Sequence, residues 1–128
     1  MRKILTFLLT TMLFAGCAQV AEQPRDPVYL NITPQEAKAI MDSEEGYIIL
    51  DVRTQEEYDQ GHIPGAIQIS HEEIPEKAEQ VLTDKAQLIL VYCRSGRRSK
   101  LAAEALAELG YTNIREFGGI IDWPYEIR

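Results

Sequence analysis

Two apolar runs limit what this chain can fold into. Residues 47–52 and residues 88–92 are continuous enough to be strands buried on both faces, broken only by Asp51 near the end of the first. Helix-start chemistry surrounds them. Thr33-Pro34-Gln35-Glu36 is a capping box with proline at the first helical position, and it opens a helix to about Asp42. Thr54-Gln55-Glu56-Glu57 is a second capping box, starting a short helix that Gly61 stops. Ser70-His71-Glu72-Glu73 repeats the signature, and Pro75 begins a helical segment running to Leu82. A last helix covers residues 100–109, with Leu101, Ala102, Ala105, Leu106 and Leu109 on its apolar face and Gly110 at its end. Residues 29–32, 66–69 and 114–117 are shorter strand candidates. Strands alternating with helices predict an α/β domain, a mainly parallel sheet flanked by helices on both faces. Ligands bind at the carboxyl ends of strands in such sheets. Asp51-Val52-Arg53 and Cys93 both stand at strand carboxyl ends and should share one rim.

The first residues are not expected to belong to that domain. Arg2 and Lys3 precede eleven residues, 4–14, that are apolar except for threonines. That stretch is too short to span a bilayer and has the layout of a secretory signal. It ends in Ala15-Gly16-Cys17, which resembles a bacterial lipobox, so residues 1–16 are expected to be a lipoprotein signal peptide. Cys17 would then carry the lipid that holds the protein on the periplasmic side of a membrane, the outer membrane in a Gram-negative source. An ordinary signal peptide cut nearby and an uncleaved anchor are the alternatives. Residues 17–28 read as the acylated cysteine and a tether, and 29–128 as the domain. The formal charge of −7 becomes −9 once Arg2 and Lys3 are removed, which argues against nucleic acid as a partner.

Against that acidic background the segment Arg94-Ser95-Gly96-Arg97-Arg98-Ser99-Lys100 is an anomaly, because it carries four cations beside a cysteine. The chain has two cysteines; if Cys17 is acylated, Cys93 has no disulfide partner. His62 and His71 stand alone, without a zinc-type Cys or His pair, so no metal and no cofactor are expected. A thiol at a strand end, followed by a basic turn and a helix, is expected to be accessible and ringed by backbone N–H groups at a helix N-terminus. Such a site lowers a thiol pKa and holds negative charge on sulfur.

Ile49-Leu50-Asp51-Val52-Arg53, Glu57-Tyr58 and Gly61-His62-Ile63-Pro64-Gly65-Ala66-Ile67 resemble the early signature of rhodanese-like domains. Tyr92-Cys93-Arg94-Ser95-Gly96-Arg97-Arg98-Ser99 resembles their active-site loop, and Gly110-Tyr111, Phe117-Gly118-Gly119 and Trp123 their closing pattern. The resemblance covers about residues 29–128. It implies a five-stranded sheet and sulfurtransferase chemistry through a persulfide on Cys93. In that chemistry the thiolate takes the outer sulfur of a small anionic donor such as thiosulfate. It then passes that sulfur to cyanide, a small thiol or a protein thiol.

Loop amides and the helix dipole would hold the persulfide charge, with Gly96 giving the backbone its freedom and Ser95 lying in the cradle. Arg94 and Arg97 are expected at the mouth. Arg98 is either there or a solvated first-turn residue, and Ser99 is an N-cap or a persulfide contact. Asp51 and Arg53 are expected to be structural on the rim, Arg53 being placed to reach Glu57. His62, Trp123 and Tyr125 are expected to serve structure rather than chemistry, and His71 to be surface only.

Two other readings fit the same residues. Phosphatases and arsenate reductases on this fold use a loop of cysteine, five residues and arginine, whereas here Ser99 holds the sixth position and Arg98 comes one residue early. A membrane-tethered binding or sulfur-relay module is the other; many rhodanese-like modules that bind without turnover lack the cysteine that this chain keeps. The lipid anchor has its own test. Cys17→Ala should move the protein from the membrane fraction to the soluble fraction, and an unchanged distribution would contradict the anchor.

Overall fold

The computed structural model describes residues 28–128; the expected signal, Cys17 and nearly all of the expected tether lie outside the described residues. Five strands form one sheet: β1 (Leu30–Asn31), β2 (Ile48–Asp51), β3 (Ile67–Gln68), β4 (Ile89–Cys93) and β5 (Ile114–Gly119). Their order is β1-β5-β4-β2-β3, and every pairing is parallel. The helices are α1 (Pro34–Ser43), α2 (Gln55–Gln60), α3 (Ile74–Val81) and α4 (Arg97–Glu108). This is the expected α/β architecture, a parallel five-stranded sheet flanked by helices.

Strand burial explains why the two apolar runs are continuous. All five residues of β4 are buried, and successive side chains go to opposite faces. Ile89, Val91 and Cys93 join Leu50, Ile74, Ala78, Ala102 and Leu106 in the core under α3 and α4. Leu90 and Tyr92 join Ile49, Ala37, Phe117 and Trp123 in the core under α1. Both faces of the sheet are therefore covered, and only the edge strand β1 is exposed.

The capping boxes at Thr33 and Thr54 form as expected, each hydroxyl accepting from the amide three residues on and each glutamate reaching back to the cap. Ser70 does not cap. Gln68 Nε2 donates to its Oγ, which in turn reaches Arg53 O, and a single 3₁₀ turn, His71–Glu73, leads into α3. The buried face of α4 also differs from the expected one. It consists of Ser99, Ala102, Ala103 and Leu106, while Leu101 is 45% exposed. Small side chains let the helix lie close against β4 and β5, and that close approach outweighs the burial of one larger residue.

Leu106 is fully buried between α4 and the sheet. Leu106→Ala should cost about 3 kcal/mol of stability, read as a lower urea midpoint at unchanged slope.

Candidate active site

Strand β4 ends on Cys93 and α4 begins at Arg97, so Arg94, Ser95 and Gly96 alone make the connection. A turn this tight needs a residue free of a Cβ penalty, and Gly96 supplies it with φ +100° as the residue capping α4. The helix therefore starts earlier than Ser99, and Ser99 is not its N-cap. Ser99 sits within the first turn, fully buried, and its Oγ lies 3.4 Å from Cys93 Sγ.

Cys93 is fully buried, which corrects the expectation of an accessible thiol. It faces the α4 side of the sheet, and the connecting loop closes over it. The expected ring of amides is reduced to one among the described hydrogen bonds: Gly96 N–H donates to Sγ at 3.0 Å. Arg94, Ser95 and Arg97 are exposed around this floor. Neither Arg94 nor Arg97 has an ion-pair partner among the described residues.

Gly119 makes the closed loop possible. The β4–β5 register slips between Val91 and Cys93, so that Cys93 stands opposite Gly119. A Cβ on Gly119 would lie 2.0 Å from Arg94 O and 2.6 Å from Ser95 Cα, a clash with backbone that cannot swing aside. The Gly118-Gly119 pair of the closing pattern is thus a matter of space at its second residue. Ile121 N–H then donates to Arg94 O at 3.2 Å and ties the loop down.

Asp51 and Arg53 form the neighbouring rim, and Arg53 pairs with Asp51, not with Glu57. Its Nε and Nη2 donate to the Asp51 carboxylate, Nη2 to Oδ2 at 2.6 Å, and Nη2 also donates to Gly61 O at 2.7 Å. Burial works against the Arg53 charge, but these bonds and the Asp51 charge hold its pKa above the ordinary guanidinium value. Tyr92 Oη donates to Asp51 Oδ2 at 2.6 Å and accepts from Ile63 N–H at 3.1 Å. Burial, then that bond to Asp51, pushes the phenol pKa well up.

Glu57 instead pairs with Arg98, whose Nη1 and Nη2 donate at 2.6 and 2.9 Å. Arg98 is therefore not free in solvent: it clamps α4 to α2 through Glu57, which lines the cleft beside the loop. The pairing also offsets the cost of a cation at a helix N-terminus. The other expected structural residues sit as follows. His62 stacks on Tyr58 with ring centroids 3.8 Å apart, and its Nδ1 lies 2.9 Å from Tyr58 O. His71, expected at the surface, is half-buried, with Nε2 3.9 Å from Glu72 Oε1. Trp123 packs between Phe117 and Tyr125.

A cleft of about 430 Å³ opens beside the loop, lined by Arg53, Arg94, Glu57, Gln60 and Gly61, with Ile120, Ile121 and Ile127 as its apolar part. Two of these cations differ in kind: Arg53 is committed to Asp51, whereas Arg94 is unpaired and exposed. Sequence reasoning did not single out Glu116, which is 2% exposed and accepts from Ser99 Oγ at 2.6 Å. The available signal was an acidic residue in the middle of a strand that both neighbours cover.

Hydrogen bonds from Arg98, and its charge, hold the Glu57 pKa down from 4.5 to about 2. A depressed carboxylate pKa contributes stability above the unfolded value, and that contribution fades as pH falls through the folded one. Glu57→Gln should therefore cost about 1 kcal/mol at neutral pH and nothing near the folded pKa, read from melting curves run from neutral pH down to that value.

The rhodanese-like domain family model matches residues 33–124. The thiosulfate sulfurtransferase PspE of Escherichia coli (strain K12) is 42% identical over 73 residues, 57% of this chain and 70% of that protein. The adenylyltransferase and sulfurtransferase UBA4 of Candida albicans is 31% identical over 118 residues, 87% of this chain but 27% of that much longer relative. A solved rhodanese with anions from E. coli superposes with a TM-score of 0.60 at 38% identity, covering 64% of this chain and 96% of its own. Family model, relatives and fold agree, and the chain belongs to the rhodanese-like domain family.

Proposed function

We propose that this protein is a thiosulfate-type sulfurtransferase that carries a sulfane sulfur on Cys93. The observation that supports it best is the Gly96 N–H aimed at Cys93 Sγ from the turn into α4. An amide donor at a helix start favours negative charge on that sulfur, both as thiolate and as the terminal sulfur of a persulfide.

In the first half-reaction the thiolate electron pair attacks the outer sulfur of thiosulfate. A Cys–S–S bond forms, the donor's sulfur–sulfur bond breaks, and its electron pair leaves on sulfite. In the second, cyanide or a thiolate attacks the terminal persulfide sulfur, and the Cys93 pair is restored. Arg94 and Arg97, exposed and without ion-pair partners among the described residues, draw in the dianionic donor. Arg98 and Arg53 do not take that role, because carboxylates occupy them. Since Cys93 is covered, the loop over it must shift for a donor to reach the sulfur. Relatives named as thiosulfate sulfurtransferases, and a related rhodanese solved with anions, support the same chemistry. The three-residue connection between Cys93 and α4 suits one terminal sulfur better than a phosphoryl group. With a lipidated Cys17, the reaction would take place on the exported side of a membrane, with a small or protein thiol as acceptor.

The test is thiocyanate formation from thiosulfate and cyanide. The wild type should turn over, and Cys93→Ser should lose all measurable activity while keeping its circular dichroism and melting midpoint. Activity retained in a folded Cys93→Ser protein would overturn the proposal.

A further inference from the structure

Asp51 and Arg53 satisfy each other on the rim, whereas a second buried carboxyl, Glu116, has no cation partner among the described residues. Glu116 lies on β5 with 2% exposure, directly behind the nucleophile. Its Oε1 accepts from Ser99 Oγ at 2.6 Å and from Gly118 N–H at 2.9 Å, and its Oε2 accepts from Asn31 Nδ2 at 2.5 Å. Three donors on one carboxyl are the contacts an ionised carboxylate takes, yet no cation pairs with it among the described residues.

Ser99 connects this carboxylate to the sulfur. Its hydroxyl carries one proton and has several acceptors within reach: Glu116 Oε1 at 2.6 Å, Gly96 O at 3.0 Å and Gly118 O at 3.5 Å. The shortest contact, to a charged acceptor, is the strongest and takes the proton. A lone pair of Ser99 Oγ is then left for the Cys93 thiol, which donates to it at 3.4 Å. The chain of contacts therefore runs in one direction, from sulfur through hydroxyl to carboxylate.

We infer that Cys93, Ser99 and Glu116 form a proton relay, in which Glu116 takes the thiol proton through Ser99 as the sulfur becomes a nucleophile. The S–H bond breaks and its electron pair stays on sulfur. Ser99 gains that proton as its own passes to Glu116, where a new O–H bond forms. Total charge does not change. One negative charge moves from carboxylate to sulfur, where Gly96 N–H already points. Two separate charges at these positions in a dry interior would repel each other, whereas one shared proton avoids that cost. Glu116 is thus a positioning and proton-holding residue that acts through Ser99.

Few other titratable groups face this carboxyl. They are Cys93 from β4, Tyr29 from the segment entering β1, and Glu104 from α4 beyond Tyr29. The Tyr29 phenol is raised by burial and then by the charges of Glu104 and Glu116. Arg98 on the same helix is turned toward Glu57, and Arg115 beside Glu116 on β5 points to the other side of the strand.

The use of this relay in sulfur transfer rests on the proposed function, but its test does not. The rate at which iodoacetamide alkylates Cys93 is measured against pH in the full-length protein with no sulfur donor present. It is read at the Cys93 peptide by mass spectrometry, so that Cys17 does not contribute. Wild type should show two steps separated by a plateau, because the shared proton and the last proton leave separately. Glu116→Gln should collapse the profile to one step, and Ser99→Ala should lower the plateau rate by about tenfold or more. A single step in wild type, or two steps surviving in folded Glu116→Gln, would overturn the relay. If Glu116→Gln does not fold, the wild-type profile still decides: two steps support the relay and one step refutes it. Absence of thiocyanate formation alongside a two-step profile would refute the sulfurtransferase reading and leave the relay standing.

Discussion

The left-handed conformation of Gly96 governs the site. With φ at +100° it turns the chain from β4 into α4 within three residues, and its own N–H is brought onto Cys93 Sγ. A side chain at that position would be strained by the positive φ, although its Cβ would meet Gly118 only in ordinary contact. The same turn fixes where α4 begins. That in turn sets which residue of the first turn is buried behind the sulfur, and which cation is presented to α2.

Charge around the loop is sorted by this geometry. Of the arginines in the basic segment, Arg98 is neutralised by Glu57, while Arg94 and Arg97 remain exposed. Arg53, which the rim also offers, is held by Asp51, with Tyr92 bonded to the same carboxylate. The structural cations thus lock the frame, while Arg94 and Arg97 stay exposed, without ion-pair partners among the described residues. Behind the sulfur the arrangement is reversed: a buried carboxylate lies there and, among the described residues, neutral donors hold it and no cation pairs with it.

Much of the fold was legible because its causes are local. Capping boxes at Thr33 and Thr54 bond within three residues of themselves, and strands buried on both faces write continuous apolar runs. The position of Cys93 at a strand end followed from the same pattern. The start of α4 was not legible, since Gly96 caps by conformation and offers no side-chain bond, whereas Ser99 mimics a cap. Pairings across the molecule were equally hidden. Glu57 and Arg98 are 41 residues apart, and Asn31 reaches Glu116 across 85. Burial of the thiol was missed for a related reason: the cover depends on Gly119 lacking a side chain, a contact between β5 and the loop that no local pattern encodes.

The central claim is that Cys93 can hold a second sulfur atom in this turn. Intact-mass analysis of the protein after exposure to thiosulfate tests it most directly, with peptide mapping to locate any adduct. The account predicts a gain of one sulfur atom confined to Cys93 and removed by cyanide. An unchanged mass, or a sulfur carried on another residue, would contradict it.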